Sequence, residues 1–124
     1  MNKEIKKKWI NALRSGEYYQ GREMLKDEEG AFCTLGVLVD IAVQEGVCSW
    51  GEVVDVDNEI KYTDDTGDRF GLYKTLPKCV VTWAGLDSDN PRLTVNDRLL
   101  DVAWVNDIKE YDFDEIATLI EEQL

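Results

Sequence analysis

Residues 32–46, FCTLGVLVDIAVQEG, constrain this chain more than any other stretch. Nine of the first twelve are apolar: Phe32, Cys33, Leu35, Val37, Leu38, Val39, Ile41, Ala42 and Val43. Fifteen residues are too many for an ordinary buried strand and too few to cross a bilayer. The β-branched content favours a strand, but the length and the Gly46 stop signal favour a helix. A helix apolar on nearly all sides must be enclosed on nearly all sides. The stretch therefore predicts a central helix, with Cys33 as a packed thiol and Gly36 as a point of close approach by a neighbour.

The rest of the chain offers the packing partners. Ile5, Trp9, Ile10 and Leu13 share one face of a helix over residues 2–14, with Gly16 as its C-terminal cap. Residues 17–31 read as a short strand or ordered loop, bent at Gly21 and closed by a polar turn over residues 26–30. Between residues 47 and 75 the apolar clusters Val53, Val54 and Val56, then Ile60 and Tyr62, then Phe70 and Leu72 predict two or three antiparallel strands. An acidic turn over residues 63–68 separates the last two clusters. Leu76-Pro77 opens a short helix that runs through Trp83 and stops near Gly85. Asn96 or Asp97 is expected to cap a further helix carrying Leu99, Leu100, Ala103 and Trp104, with Asn106-Asp107 as its C-terminal turn. Asp112 and Glu115 have capping-box spacing, and Tyr111 with Ile116 forms a hydrophobic staple at the start of the last helix. One hundred and twenty-four residues suit one domain with a real core. The expectation is a single α+β domain over residues 1–124: a central buried helix, several surrounding helices and a small antiparallel sheet.

The net charge is −12, and it is unevenly spread. Residues 1–26 hold seven Lys/Arg against three acids, which leaves a net charge near −16 on the remainder. Such a surface disfavours direct contact with nucleic acid and anionic membranes. It is also suited to a basic partner, or to imitating a phosphate backbone. Cys33, Cys48 and Cys79 are odd in number and form no CxxC pair, as in a reduced cytosolic protein. The basic start of the sequence lacks the apolar run of a signal peptide, so a cytoplasmic location is expected.

Absences narrow the chemistry. With no histidine, the Ser-His-Asp, Cys-His and His-metal schemes are excluded. Neither G-x-x-x-x-G-K-[ST] nor G-x-G-x-x-G occurs, and three scattered cysteines do not make a zinc site. Asp55-Val-Asp57-Asn58 opens like a calcium loop, but Ile60 stands where Gly is required and Thr66 where Glu is. Asp55 and Asp57 would project from one face of a strand as a carboxylate pair, which leaves a carboxylate-dependent hydrolase as one reading. The leading expectation is a non-enzymatic protein without metal or cofactor.

Binding residues are easier to nominate. Arg14, Gln20 and Arg22 lie close in sequence to Tyr18 and Tyr19, and Lys26 follows. A guanidinium fork suits phosphate or carboxylate, and an aromatic ring from Tyr18, Tyr19 or Trp83 can stack on a base. The competing reading has the tyrosines closing the core while the cations offset the acidic body.

Five segments carry a resemblance: Trp9 to Gly16 followed by Gln20-Gly21, Phe32 to Asp40, Leu76-Pro77, Asn106-Asp107, and Phe113 to Glu121. Together they resemble the pattern W-x-x-A-L-R-S-G, Q-G, F-C-x-L-G-V-L-x-D, L-P, N-D, F-x-E-I-A-x-x-I-E of small phage- and prophage-type proteins. The resemblance implies a viral or mobile-element setting and brings no catalytic residues. In that setting the expected function is counter-defence by sequestering a small anionic, nucleotide-derived signal. The alternative is an acidic protein–protein inhibitor of a host component, and a homo-oligomer is compatible with either.

Overall fold

Asn2 starts the first helix by accepting the backbone N–H groups of Glu4 and Ile5 at its Oδ1, at 2.9 and 3.0 Å. In a computed structural model of the chain, residues 1–27, 29–50 and 75–124 are described, together with the backbone of residues 53–54, 59–60, 62–64 and 69–70. Helix α1 (Lys3–Arg14) buries Ile5, Trp9, Ile10 and Leu13, the stripe expected from their spacing. It ends at Ser15, and Gly16 follows with φ +77°.

Helix α2 (Thr34–Gln44) is the predicted central helix, two residues shorter at each end. Cys33 caps it, its Sγ accepting the Gly36 N–H at 3.4 Å, and Gly46 beyond it has φ +78°. Thr34, Leu35, Gly36, Val37, Leu38, Val39, Ile41 and Ala42 are all buried, so the helix is enclosed on most of its circumference. Helices α1, α3 (Lys78–Ala84) and α4 (Val102–Asp107) and strand β1 (Cys48–Ser49) surround it, and α5 (Phe113–Gln123) packs on α1. Trp9 is fully buried and donates its Nε1–H to the Thr34 carbonyl at 2.9 Å, fixing α1 to the first turn of α2.

Backbone pairing joins β1 to β4 (Tyr62–Asp64) and β4 to β5 (Arg69–Phe70), and joins β2 (Val53–Val54) to β3 (Glu59–Ile60). All of these pairs are antiparallel, as expected. The side-chain alternation expected there, most of the acidic turn, and Asp55 and Asp57 lie outside the described residues. Pro77 caps α3 (Lys78–Ala84), which Gly85 closes in the left-handed conformation at φ 70°.

Residues 92–101 correct the sequence reading. They form a hairpin of β6 (Arg92–Val95) and β7 (Arg98–Asp101), not the start of a helix. Asn96 and Asp97 are its two-residue turn, with φ of 50° and 65°. Positive φ at both central positions is the geometry that matches the twist of paired strands, and Asn and Asp tolerate it better than most residues. Leu93 and Val95 face the core, while Leu99 is on the other side of the ribbon. Helix α4 (Val102–Asp107) starts only after the hairpin. Helix α5 (Phe113–Gln123) has the expected capping box: Asp112 accepts the Glu115 N–H at 2.8 Å, and Glu115 accepts the Asp112 N–H at 3.2 Å. The whole is a single small α+β domain.

Candidate functional site

Three of the residues nominated for binding meet in one cleft. Arg14 ends α1, Tyr18 and Gln20 follow it, and the chain passes beside the start of α5. Together with Leu13, Gly16, Asp112, Phe113 and Asp114 they line a space of about 270 Å³. Tyr19 is 80% exposed and lies outside this cleft. Arg22 is exposed and makes no hydrogen bond or ion pair with the described residues. Trp83 is half-buried on α3, packed against the core.

The polar groups of the three converging residues already have partners. Arg14 donates to Glu121 Oε2 and to Thr118 Oγ1 of α5, each at 3.1 Å. The Tyr18 hydroxyl donates to Asp40 Oδ2 at 2.6 Å, and its ring meets Phe32 edge to face at 5.1 Å. Burial and the Asp40 carboxylate both raise the Tyr18 phenol above its ordinary pKa, so it remains a donor. Asp40 also accepts the Trp50 Nε1–H at 2.8 Å and the Gln44 amide at 3.0 Å. Gln20 donates its amide to Asn106 Oδ1 at 2.9 Å and to the Tyr111 carbonyl at 2.8 Å. The cleft thus presents one guanidinium, engaged by Glu121, opposite the carboxylates of Asp112 and Asp114.

Asn106 stands in the C-terminal turn of α4, as expected, and it is fully buried. Its Oδ1 accepts from Thr34 Oγ1 at 2.8 Å, from the Thr34 N–H at 3.2 Å and from Gln20. Its Nδ2 donates to the Gly21 carbonyl at 2.9 Å and to Asp107 Oδ1 at 2.8 Å. One amide therefore joins α2, α4 and the loop over residues 17–31. Cys33 is a packed thiol beside this network, and burial pushes its pKa up to about 12, which keeps it protonated and unreactive. Among the described residues, no three acids or cysteines gather as a metal site. Also among them, no helix is long and apolar enough to cross a membrane.

A different surface carries two exposed apolar side chains. Trp104 is 49% exposed and Ile108 57%, four residues apart at the end of α4. They line a cleft of about 340 Å³ with Ala103, and the carboxyl-bearing residues Glu23, Asp101 and Asp107 stand around it. Helical spacing groups Trp104 with Leu99, Leu100 and Ala103 and assigns no role to Ile108. The signal was present: four-residue spacing puts Trp104 and Ile108 on one face, while the buried Val102, Val105 and Asn106 define the other. Arg92 pairs with Asp101 at 3.2 Å, but both partners are exposed, so the pair holds only weakly.

The match to a known family spans residues 1–124. The chain belongs to the family described as a domain of unknown function, DUF8296. Its members share a sequence pattern without an assigned activity in that description, so the residues themselves have to carry any functional reading. No curated protein matches the chain. No solved structure matches it either.

Proposed function

We propose that the protein acts by binding, and that it captures a basic, apolar segment of a partner protein on the Trp104–Ile108 face. The observation that carries this is an exposed apolar pair set among Glu23, Asp101 and Asp107. Trp is among the side chains most enriched at the energetic centre of an interface, and an apolar centre with a polar rim is the usual anatomy of one. The net charge of −12 attracts a basic surface and speeds encounter with it, while it repels nucleic acid. In a phage- or prophage-type setting this is counter-defence: the protein occupies a basic surface of a host component in the host cytoplasm.

A labelled helical peptide built only from Leu and Lys is the direct probe, with a Leu–Glu peptide as control. Fluorescence anisotropy should show binding of the first alone, weakening several-fold between 50 and 200 mM salt as the charges are screened. The double substitution Trp104→Ala with Ile108→Ser should cost at least tenfold in Kd. Equal binding of the two peptides, or full affinity in the double variant, overturns the proposal.

A second reading retains the small anionic ligand, supported by the convergence of Arg14, Tyr18 and Gln20 on one cleft. It requires Arg14 to exchange Glu121 for the ligand while facing Asp112 and Asp114. Calorimetry against cyclic nucleotides and ADP-ribose derivatives should then give heat that Arg14→Gln abolishes. Silence across that panel removes this reading.

A further inference from the structure

The two edges of the β6–β7 hairpin are treated differently. Its two-residue turn makes Val95 and Arg98 the closing hydrogen-bonded pair. Pairs alternate along an antiparallel ribbon, so Thr94 and Leu99 form the next, non-hydrogen-bonded pair. Their N–H and C=O groups therefore point away from the ribbon, Thr94 on one side and Leu99 on the other. On the β6 side that edge is sealed by a side chain. The Thr94 N–H donates to Gln123 Oε1 at 2.6 Å, and Gln123 Nε2 donates back to the Thr94 carbonyl at 2.9 Å. The amide of Gln123 occupies the place of a third strand.

The β7 side has no such cover among the described residues. The N–H and C=O of Leu99 make no hydrogen bond there, and the Leu99 side chain is 61% exposed. An open edge with an apolar residue at its centre invites pairing by another chain, and proteins ordinarily charge, shorten or cover such edges. Here one edge is covered and the other is left open.

We infer that the β7 edge at Leu99 is a strand-addition site for an extended, basic segment of a partner protein. Charge selects this occupant over a second copy. Asp97, in the turn, and Asp101, at the end of β7 on the face of Leu99, flank it two residues away on either side, and Asp101 is paired with the exposed Arg92 at 3.2 Å. A segment with an apolar residue opposite Leu99 and Lys or Arg two positions to each side brings one cation near Asp97 and another that competes with Arg92 for Asp101. A second copy would instead bring like charges together across the edge, on chains of net charge −12. Backbone pairing would supply affinity and the alternate side chains selectivity, as in other strand-addition complexes. The inference does not depend on the Trp104–Ile108 proposal, which involves no backbone pairing.

The test uses the peptide acetyl-Thr-Lys-Thr-Val-Thr-Lys-Thr-amide, with Glu replacing both Lys as control, and reads backbone amide exchange by NMR on the full chain. The Lys peptide should slow exchange of the Leu99 amide at least tenfold and the Glu peptide should not. Leu99→Pro removes the outward N–H without removing a β6–β7 hydrogen bond, and it should abolish peptide binding with the hairpin amides still protected. Leu99→Ala is the second variant: it keeps the donor, so protection should survive with affinity several-fold weaker. Trp104→Ala with Ile108→Ser should leave this peptide's binding unchanged, which separates the two proposals. No slowing at Leu99, or wild-type affinity in Leu99→Pro, overturns the inference. So does protection that appears without peptide and rises with protein concentration, since the occupant is then a second copy.

Discussion

Gly36→Ala is expected to lower the melting temperature by 10 °C or more, or to leave no soluble folded protein. The position is in the first turn of α2, where the loop over residues 17–31 crosses the helix at Leu25. A methyl group on Gly36 would overlap the Leu25 carbonyl oxygen and lie 2.6 Å from the carbonyl carbon. Both obstacles are backbone, so no rotamer change relieves the clash. Leu25 is itself fully buried, and its carbonyl also accepts the Cys33 N–H at 3.3 Å. Moving the loop would therefore disturb the α2 cap and expose a core leucine. Overpacking of this kind costs about 3 kcal/mol or more. Domains of this size have only about 5–15 kcal/mol in total. Gly16→Ala is the matched control, since nothing lies within 4 Å of its added methyl and only the cost of a positive φ remains. Thermal unfolding followed by circular dichroism decides the matter. A Gly36→Ala variant melting within 3 °C of wild type would refute the close-approach account.

Asn106→Ala should destabilise nearly as much, by about 3–4 kcal/mol. The substitution removes five hydrogen bonds at once and strands their partners: the Thr34 hydroxyl and N–H, the Gln20 amide, the Gly21 carbonyl and Asp107 Oδ1. Asn106 and Thr34 are fully buried, so water does not readily replace the lost partner. Thr34→Val removes a single donor from the same oxygen and should cost about 1–1.5 kcal/mol. Combining the two in a double-mutant cycle should reveal a coupling of about 1 kcal/mol or more, because both act on one network. Denaturant unfolding with an unchanged m-value is the measurement. Additive effects would show that Asn106 and Thr34 contribute independently.

The features readable in the sequence were those fixed by neighbours along the chain. The stripe of Ile5, Trp9, Ile10 and Leu13, the Asp112–Glu115 capping box and the cap at Gly85 all lie within one or two helical turns. Gly36 was legible for a related reason, since a glycine inside an apolar run has few other uses. The β6–β7 hairpin was not, because Leu99, Leu100, Ala103 and Trp104 have helical spacing by coincidence across a strand and a helix. Asn96-Asp97 serves equally as a cap signal and a turn signal, and the alternation of Leu93 and Val95 is too short to decide between them. The candidate binding residues show the same limit. Proximity in sequence correctly grouped Arg14, Tyr18 and Gln20, but their hydrogen-bond partners come from α2, α4 and α5. Local pattern reading has no access to partners that distant. Neither could it separate Tyr18, docked on Asp40, from the exposed Tyr19 one residue later.

The amide of Asn106 also ties together parts of the chain that are far apart in sequence. Its partners Gln20 and Gly21 are 86 and 85 residues away in the chain, and Thr34 is 72 away. Contacts so distant carry a large loop-closure cost and are rewarded only after both halves of the domain have met. The β6–β7 hairpin and the capped helices are local and can form before that. The hydrogen bonds of Asn106 to Gln20, Gly21 and Thr34 are therefore expected to form late, together with the equally distant packing of α1 on α5. Asn106→Ala is then expected to accelerate unfolding more than it slows folding, an expectation that folding and unfolding rates measured by stopped flow would check.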